Sequence, residues 1–334
     1  MRHSPDVRAA TAVTGDIFVE SEFAPLRTVV LAQSEVAISK AMLNGHEMAF
    51  IPEDIRKKMP VGVDFGESHP ELQRVWEQER ENFGAVLKKH GVEVLRPRKL
   101  TAVEKEVAGD DGYSNFFVRD PFFTVGNFVI EGSLRFLHRR NEILPARPVL
   151  DERVYPADCS YVALPRPEVG TAADLGTGPF LEGGDVLILG QHVFVGSSGL
   201  ASNQQGAKWL AKLLKPAGYT VELVRLKPEI LHLDCALGLI RPGLMVACEE
   251  AFIDGIPGML KSWSGISVSM KEAAHLATNG LPLSPDVYVA DPAFQYIGDQ
   301  LERKGVKVEY VDFRISRSFG GSFRCSTQPL LRRS

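Results

Sequence analysis

One short grammar recurs along the chain: a helical stretch ending in Lys or Arg and then Gly, followed by a short alternating strand. It occurs at Lys88-Lys89-His90-Gly91 before VEVLRP, at Lys215-Pro216-Ala217-Gly218 before YTVELVRL, and at Arg303-Lys304-Gly305 before VKVEYVDF. Cations in a last helical turn complement the helix dipole, and Gly supplies the left-handed cap that turns the chain back. A second pattern interleaves with the first: two apolar runs joined by a polar or glycine turn, at Phe123–Ile130, Val186–Val195 and Leu237–Ala247. These predict β-hairpins. Hairpins alternating with helices predict an α/β chain of repeated ββαβ units rather than a plain doubly wound sheet. The clearest helix is expected to open with a capping box of Ser68 and Glu71. Its buried face is expected to carry Leu72, Val75, Trp76, Phe83, Val86 and Leu87. Residues 1–16 are expected to be a flexible lead-in and 17–334 a single domain, with 165–178 a long loop inside it.

Charge narrows the function. Thirty-eight Lys+Arg against 42 Asp+Glu leave a net charge of −4, which excludes a protein built to grip nucleic acid through phosphates. No stretch approaches the ~20 apolar residues of a membrane span. Residues 1–16 lack the apolar core of a signal peptide, so a cytoplasmic location is expected. A chain of 334 residues buries roughly three-quarters of its unfolded surface and needs no disulfide or metal staple. The four cysteines, Cys159, Cys235, Cys248 and Cys325, form no CxxC pair, which argues against a zinc ribbon or a thioredoxin-like motif. Cys159, Cys235 and Cys248 read as small buried hydrophobes. Cys325 differs: it follows Gly320-Gly321-Ser322-Phe323-Arg324, where glycines permit close approach to a ligand and a neighbouring cation favours thiolate.

Four segments place acids, a histidine and a thiol beside strand edges or turns: Val118-Arg119-Asp120-Pro121, Leu181-Glu182-Gly183-Gly184-Asp185, Leu231-His232-Leu233-Asp234-Cys235 and Gly320–Cys325. Singly each is weak. Asp-Pro is usually a turn, and a histidine between leucines is more often a satisfied core residue. Together they supply one thiol, one imidazole and four carboxylates, a set that suits a planar cation centred on carbon. A guanidinium is always charged and presents a rigid fork of donors that carboxylates match. A soft thiolate is a plausible nucleophile for its central carbon. Clustered carboxylates raise one another's pKa values, and a bound cation relieves this.

In this order the four segments resemble the pentein superfamily of guanidine-modifying enzymes: arginine deiminase, dimethylarginine dimethylaminohydrolase, agmatine deiminase and the amidinotransferases. The opening Ser21-Glu22-Phe23-Ala24-Pro25-Leu26 is similar to the first strand of that family. The resemblance implies a five-bladed α/β-propeller of ββαβ modules forming one catalytic domain. It also implies roles. Cys325 would attack the guanidinium carbon to give a covalent thiouronium. His232 would protonate the departing amine and then activate the resolving nucleophile. Asp120 and Asp234 would grip the guanidinium nitrogens, Glu182 would be a further acid, and Asp185 would orient the histidine or touch substrate. No metal or organic cofactor is required.

Two fates follow, set by what resolves the intermediate. Arg119-Asp120-Pro121, Glu182 and Arg324 resemble arginine deiminase. The Gly320-to-Cys325 spacing and the Val125–Glu131 hairpin resemble the amidinotransferases. The balance favours a hydrolase acting on arginine or a modified arginine, with amidino transfer to an amine as the alternative. A catalytically silent pentein would lack a thiol or imidazole, and both are present. A metal site on His232, Asp234 and Cys235 lacks further paired ligands. For a substrate carboxylate, Arg324 is the first candidate. Arg135, Arg139 and Arg140 are further candidates, though a solvated basic cluster is the favoured reading of them. The expected partner is a small guanidine, with a homodimer the default assembly.

Overall fold

The computed structural model describes residues 16–38, 61–168 and 177–334, together with Glu53 and Lys57. The expected lead-in, apart from Asp16, and residues 169–176 of the expected loop lie outside the described residues.

Five sheets among the described residues repeat one plan: two antiparallel strands, then a third laid parallel to the second. The first uses Phe122–Val125, Phe128–Glu131 and Ser160–Ala163. The second uses Val186–Leu189, His192–Ser197 and Thr220–Arg225. The third uses Leu237–Arg241, Leu244–Ala247 and Ser264–Ser267, and the fourth Leu281–Ser284, Val287–Ala290 and Lys307–Tyr310. The fifth is assembled from both ends of the chain. Thr327–Arg332 pairs antiparallel with Leu26–Leu31, which pairs parallel with Glu93–Leu95. A parallel third strand requires a crossover. Helices Gln204–Leu214, Gln295–Arg303 and Pro70–Lys89 supply it in the second, fourth and fifth sheets. Short 3₁₀ and π turns serve in the first and short 3₁₀ turns in the third.

All three expected hairpins form, as do the three strands expected after glycine caps. Gly91, Gly218 and Gly305 take φ of 75°, 84° and 81°, the left-handed region in which a side chain would be strained. The hairpin Leu281–Ala290 and the strands Ser160–Ala163 and Ser264–Ser267 were not anticipated, because proline or exposed positions break their alternation.

The expected capping box is absent. Pro70 sits in the first turn of the Pro70–Lys89 helix and sets its start, and the side chain of the cap residue His69 makes no capping bond to the helix. Ser68 belongs to the preceding turn and donates its hydroxyl to the Asp64 and Phe65 carbonyls. Leu72 is 43% exposed, and the buried face instead includes Glu79 and Arg80 beside Trp76, Phe83 and Leu87. These two charged residues are internal ties. Glu79 accepts from Ile315 N and Ser316 N, and Arg80 donates to Phe116 O, Gln33 O and Ser326 Oγ. The helix therefore packs on Phe313 and Phe323 while holding the segment around the late cysteine. Each apolar side chain so buried contributes about 1.5–3 kcal/mol. No helix among the described residues is long and apolar enough to cross a membrane.

Candidate active site

The chemistry-bearing residues share one structural address. Each lies just ahead of the first strand of a sheet: Asp120 before Phe122, Glu182 to Asp185 before Val186, His232 to Asp234 before Leu237, and Cys325 before Thr327. The fourth sheet contributes Asn279 from the equivalent place before Leu281. Repetition of one module thus carries five polar positions into a single buried cluster.

Glu182 Oε2 lies 2.8 Å from His232 Nε2, and Asp120 Oδ1 lies 3.8 Å from His232 Nδ1. Asp234 Oδ2 faces the Cys325 sulfur at 3.7 Å. Asp120, Glu182, His232, Asp234 and Cys325 are all buried. Asp185 accepts from Leu233 N at 2.9 Å and Ser202 N at 3.1 Å, so it pins the turn that presents His232 and Asp234. Gly184 N donates to Asp120 Oδ1 at 2.9 Å. A Cβ there would stand 2.7 Å from His232 Nδ1 and 2.8 Å from Asp120 Oδ1, so close approach of the backbone is why the position is glycine.

Electrostatics separate the groups. Burial alone would depress the His232 pKa, but Asp120, Glu182 and Asp185 surround it and raise it to about 10, so the ring carries a proton at neutral pH. Burial, with Asp234 and Asp120 nearby, pushes the Cys325 thiol well up, so the resting sulfur is neutral. Burial also raises Asp185, to about 7, against the pull of His232. The cluster therefore couples a protonated imidazole to a protonated thiol among carboxylates, and an added cation would favour loss of the thiol proton.

Two arginines differ from expectation. Arg324 is buried, and its donors are spent inside the protein. Nε and Nη2 bind Glu22 at 2.9 and 3.1 Å, Nη1 binds Asp234 Oδ2 at 2.8 Å, and the carbonyls of Val186 and Gly183 accept at 2.6 and 3.5 Å. With all five N–H groups occupied, none is left for a substrate carboxylate. Arg139 is no solvated cation. Its guanidinium is buried and binds Asp120 and Glu142 at 2.8 Å and Glu182 at 3.2 Å, and these acids raise its pKa. Arg135 and Arg140 stay only partly buried. Arg135 donates its backbone N–H to Glu182 Oε1 at 3.0 Å, and Arg140 donates to the Leu134 and Arg135 carbonyls.

Asn279 was missed by the sequence reading. Its Oδ1 accepts from both Ser322 N and Cys325 N at 3.2 Å, and its Nδ2 donates to the Asp234 carbonyl at 3.4 Å. It ties the thiol's turn to the acid's turn. The signal available was its place before a strand matching the other modules. Cys235, taken for a plain hydrophobe, sits with its sulfur 3.6 Å from Asp234 Oδ1. Cys248 is buried as expected, and Cys159 is partly exposed. Ligand atoms of Asp120, Glu182 and His232 lie within 4.8 Å of one another, a spacing that fits a cation. The Arg139 guanidinium already bridges the two acids.

No protein-family model matches the chain. Inosamine-phosphate amidinotransferase 1 of Streptomyces griseus is 26% identical over 344 residues, covering 93% of this chain and 95% of that protein. Putative inosamine-phosphate amidinotransferase 2 of the same organism is 28% identical over 283 residues, covering 77% and 80%. The solved structure of inosamine-phosphate amidinotransferase StrB1 from Streptomyces griseus matches with a TM-score of 0.78 at 23% identity, over 95% of this chain and 97% of that one. These relatives and structural neighbours are guanidine-modifying enzymes of the pentein superfamily. Other penteins of the same fold are the DDAH of Pseudomonas aeruginosa (TM-score 0.64, 15% identity, 91% and 99% covered) and the N-terminal domain of the cyanobacterial arginine dihydrolase ArgZ (0.67, 16%, 96% and 99%). The likeness supports an enzyme of arginine-related amidino chemistry.

Proposed function

We propose that this pentein takes the amidino group of an arginine-type guanidine onto Cys325 and passes it to an amine. The observation that carries the reading is the Cys325 thiol, 3.7 Å from the buried Asp234 carboxylate, next to acids gathered about a protonated His232. A guanidinium entering between Asp234 and Asp120 offsets their charge, and the thiol proton leaves to solvent. The sulfur bonds to the guanidinium carbon, the C–N bond to the departing amine breaks, and His232 hands that amine its proton. Neutral His232 then takes a proton from the incoming nucleophile as the C–S bond breaks. Five sheets sharing one plan are read as the five blades of a propeller, in a single catalytic domain over residues 17–334 of a cytoplasmic enzyme.

An amine as resolving nucleophile is supported by relatives that are amidinotransferases over most of both chains, and by the Gly320-to-Cys325 spacing. Water, the outcome favoured from sequence, keeps one observation of its own: Glu182, the acid of the deiminase pattern, in direct contact with His232. Incubation with arginine, with and without glycine, lysine or an amino-sugar phosphate, separates them by mass. Ornithine plus an amidinated amine supports transfer, whereas citrulline and ammonia without acceptor supports hydrolysis. Cys325→Ala should abolish turnover and the protein-bound amidino adduct, and substantial residual activity would remove the covalent route.

A further inference from the structure

We propose that Glu22 and Arg324 form a positioning pair that fixes the Asp234 carboxylate against the Cys325 sulfur. The inference rests on the reading of Cys325 as nucleophile. Arg324 spans two buried acids, with Nε and Nη2 on Glu22 and Nη1 on the same Asp234 oxygen that faces the thiol. Glu22 is itself fixed: its Oε1 also accepts from Ile188 N at 3.2 Å, and its own N–H donates to Ile188 O at 3.0 Å. The fork therefore cannot swing, and the Asp234 oxygen it holds cannot rotate away from the sulfur.

The charge arrangement gives the pair a function beyond packing. The sulfur's charged and titratable surroundings are Asp234 and Asp120, Cys235, Arg324, and Arg80 from the Pro70–Lys89 helix. Arg324 in turn feels Glu22, Asp234, Arg119 and Arg332. Asp234 is wholly buried, and a buried carboxylate keeps its charge only with a cation on it. Arg324 is the guanidinium bonded to that carboxylate. Its positive charge, held against the Asp234 oxygen that faces the sulfur, limits the repulsion a forming thiolate meets there. Glu22 damps and aims the fork from the far side.

The test reads the pH midpoint of Cys325 alkylation by iodoacetamide, followed by intact mass on folded protein, for the parent, Arg324→Gln, Arg324→Lys and Glu22→Gln. Removing the cation should raise the midpoint by at least about one unit, because the cluster gains proton affinity. Lysine should restore most of it. Removing the Glu22 charge should lower the midpoint, in the opposite direction. The loosened fork should nonetheless cut kcat/KM in both neutral variants by roughly 10²-fold, the cost of about 1 Å of misplacement. Midpoints that move the same way in both, or that stay at the parent value, overturn the pair, since general loosening has no sign. Should Arg324→Gln fail to fold, an unlowered midpoint in Glu22→Gln is sufficient to overturn it. Alkylation needs no guanidine, so a parent inactive on every guanidine would defeat the functional reading while leaving this measurement intact.

Discussion

Replacing Arg139 by Met separates a buried keystone from a surface cation. The guanidinium meets three carboxylates, Asp120 and Glu142 at 2.8 Å and Glu182 at 3.2 Å. Methionine fills much of the space and strands all three. Removing one partner of a buried pair costs about 3–5 kcal/mol, whereas a solvated residue costs within about 0.5 kcal/mol. An unfolding entropy of about 2.1 cal/mol/K per residue over 334 residues converts the first figure to a Tm fall of roughly 4–7 °C and the second to under about 1 °C. The pH dependence carries a sign as well. Burial would raise the Asp120 carboxyl, but His232 and Arg139 hold it below its usual range. Its stabilising contribution is present above the ordinary carboxyl range and is lost as pH falls through the depressed value. Without Arg139 the Asp120 carboxyl takes up a proton more readily, so the Tm gap should be widest near neutrality and close on acidification. Circular dichroism melts of both proteins from pH 7 to pH 4 provide the assay. A gap under about 1 °C, or one that widens with acid, refutes the buried bridge.

Three further outcomes follow from the same geometry. Gly184→Ala adds a methyl inside contact distance of both His232 and Asp120. It should cost about 1–3 kcal/mol of stability and about 10²-fold in kcat, and parent-like turnover would show that the two side chains tolerate displacement. His232 has a folded pKa raised to about 10, so its charge stabilises the fold fully below its unfolded value near 6.5 and loses that effect as pH rises through about 10. The stability advantage of the parent over His232→Gln should therefore shrink from pH 7 to pH 10 in urea melts, and a constant advantage contradicts the protonated ring. Asp120→Asn should weaken guanidine binding by about 10–100-fold, the worth of a hydrogen bond to a charged group. Unchanged affinity in calorimetry would place the guanidinium elsewhere.

What the sequence made legible was local. Hairpins follow from alternation, and the caps at Gly91, Gly218 and Gly305 from φ that other residues resist. The acids, imidazole and thiol were legible because each sits in a short motif ahead of a strand. What stayed hidden depends on partners far along the chain. Arg324 and Glu22 are 302 positions apart, and nothing near Arg324 signals that its fork is already full. Arg139 lies in a run of basic residues that looks like a wet surface, yet its acids come from residues 120, 142 and 182. Leu72 fits an apolar period but is exposed, because Glu79 and Arg80 take the inner face to hold distant backbone.

The strand Thr327–Arg332 closes the sheet begun by Leu26–Leu31 and starts two residues after Cys325. During synthesis, then, Leu26–Leu31 emerges with one flank bare and waits until residues 327–332 are made before its partner arrives. A product cut before Phe323 lacks both that clasp and the Cys325 thiol, so the proposed nucleophile and the closure of the sheet are lost together.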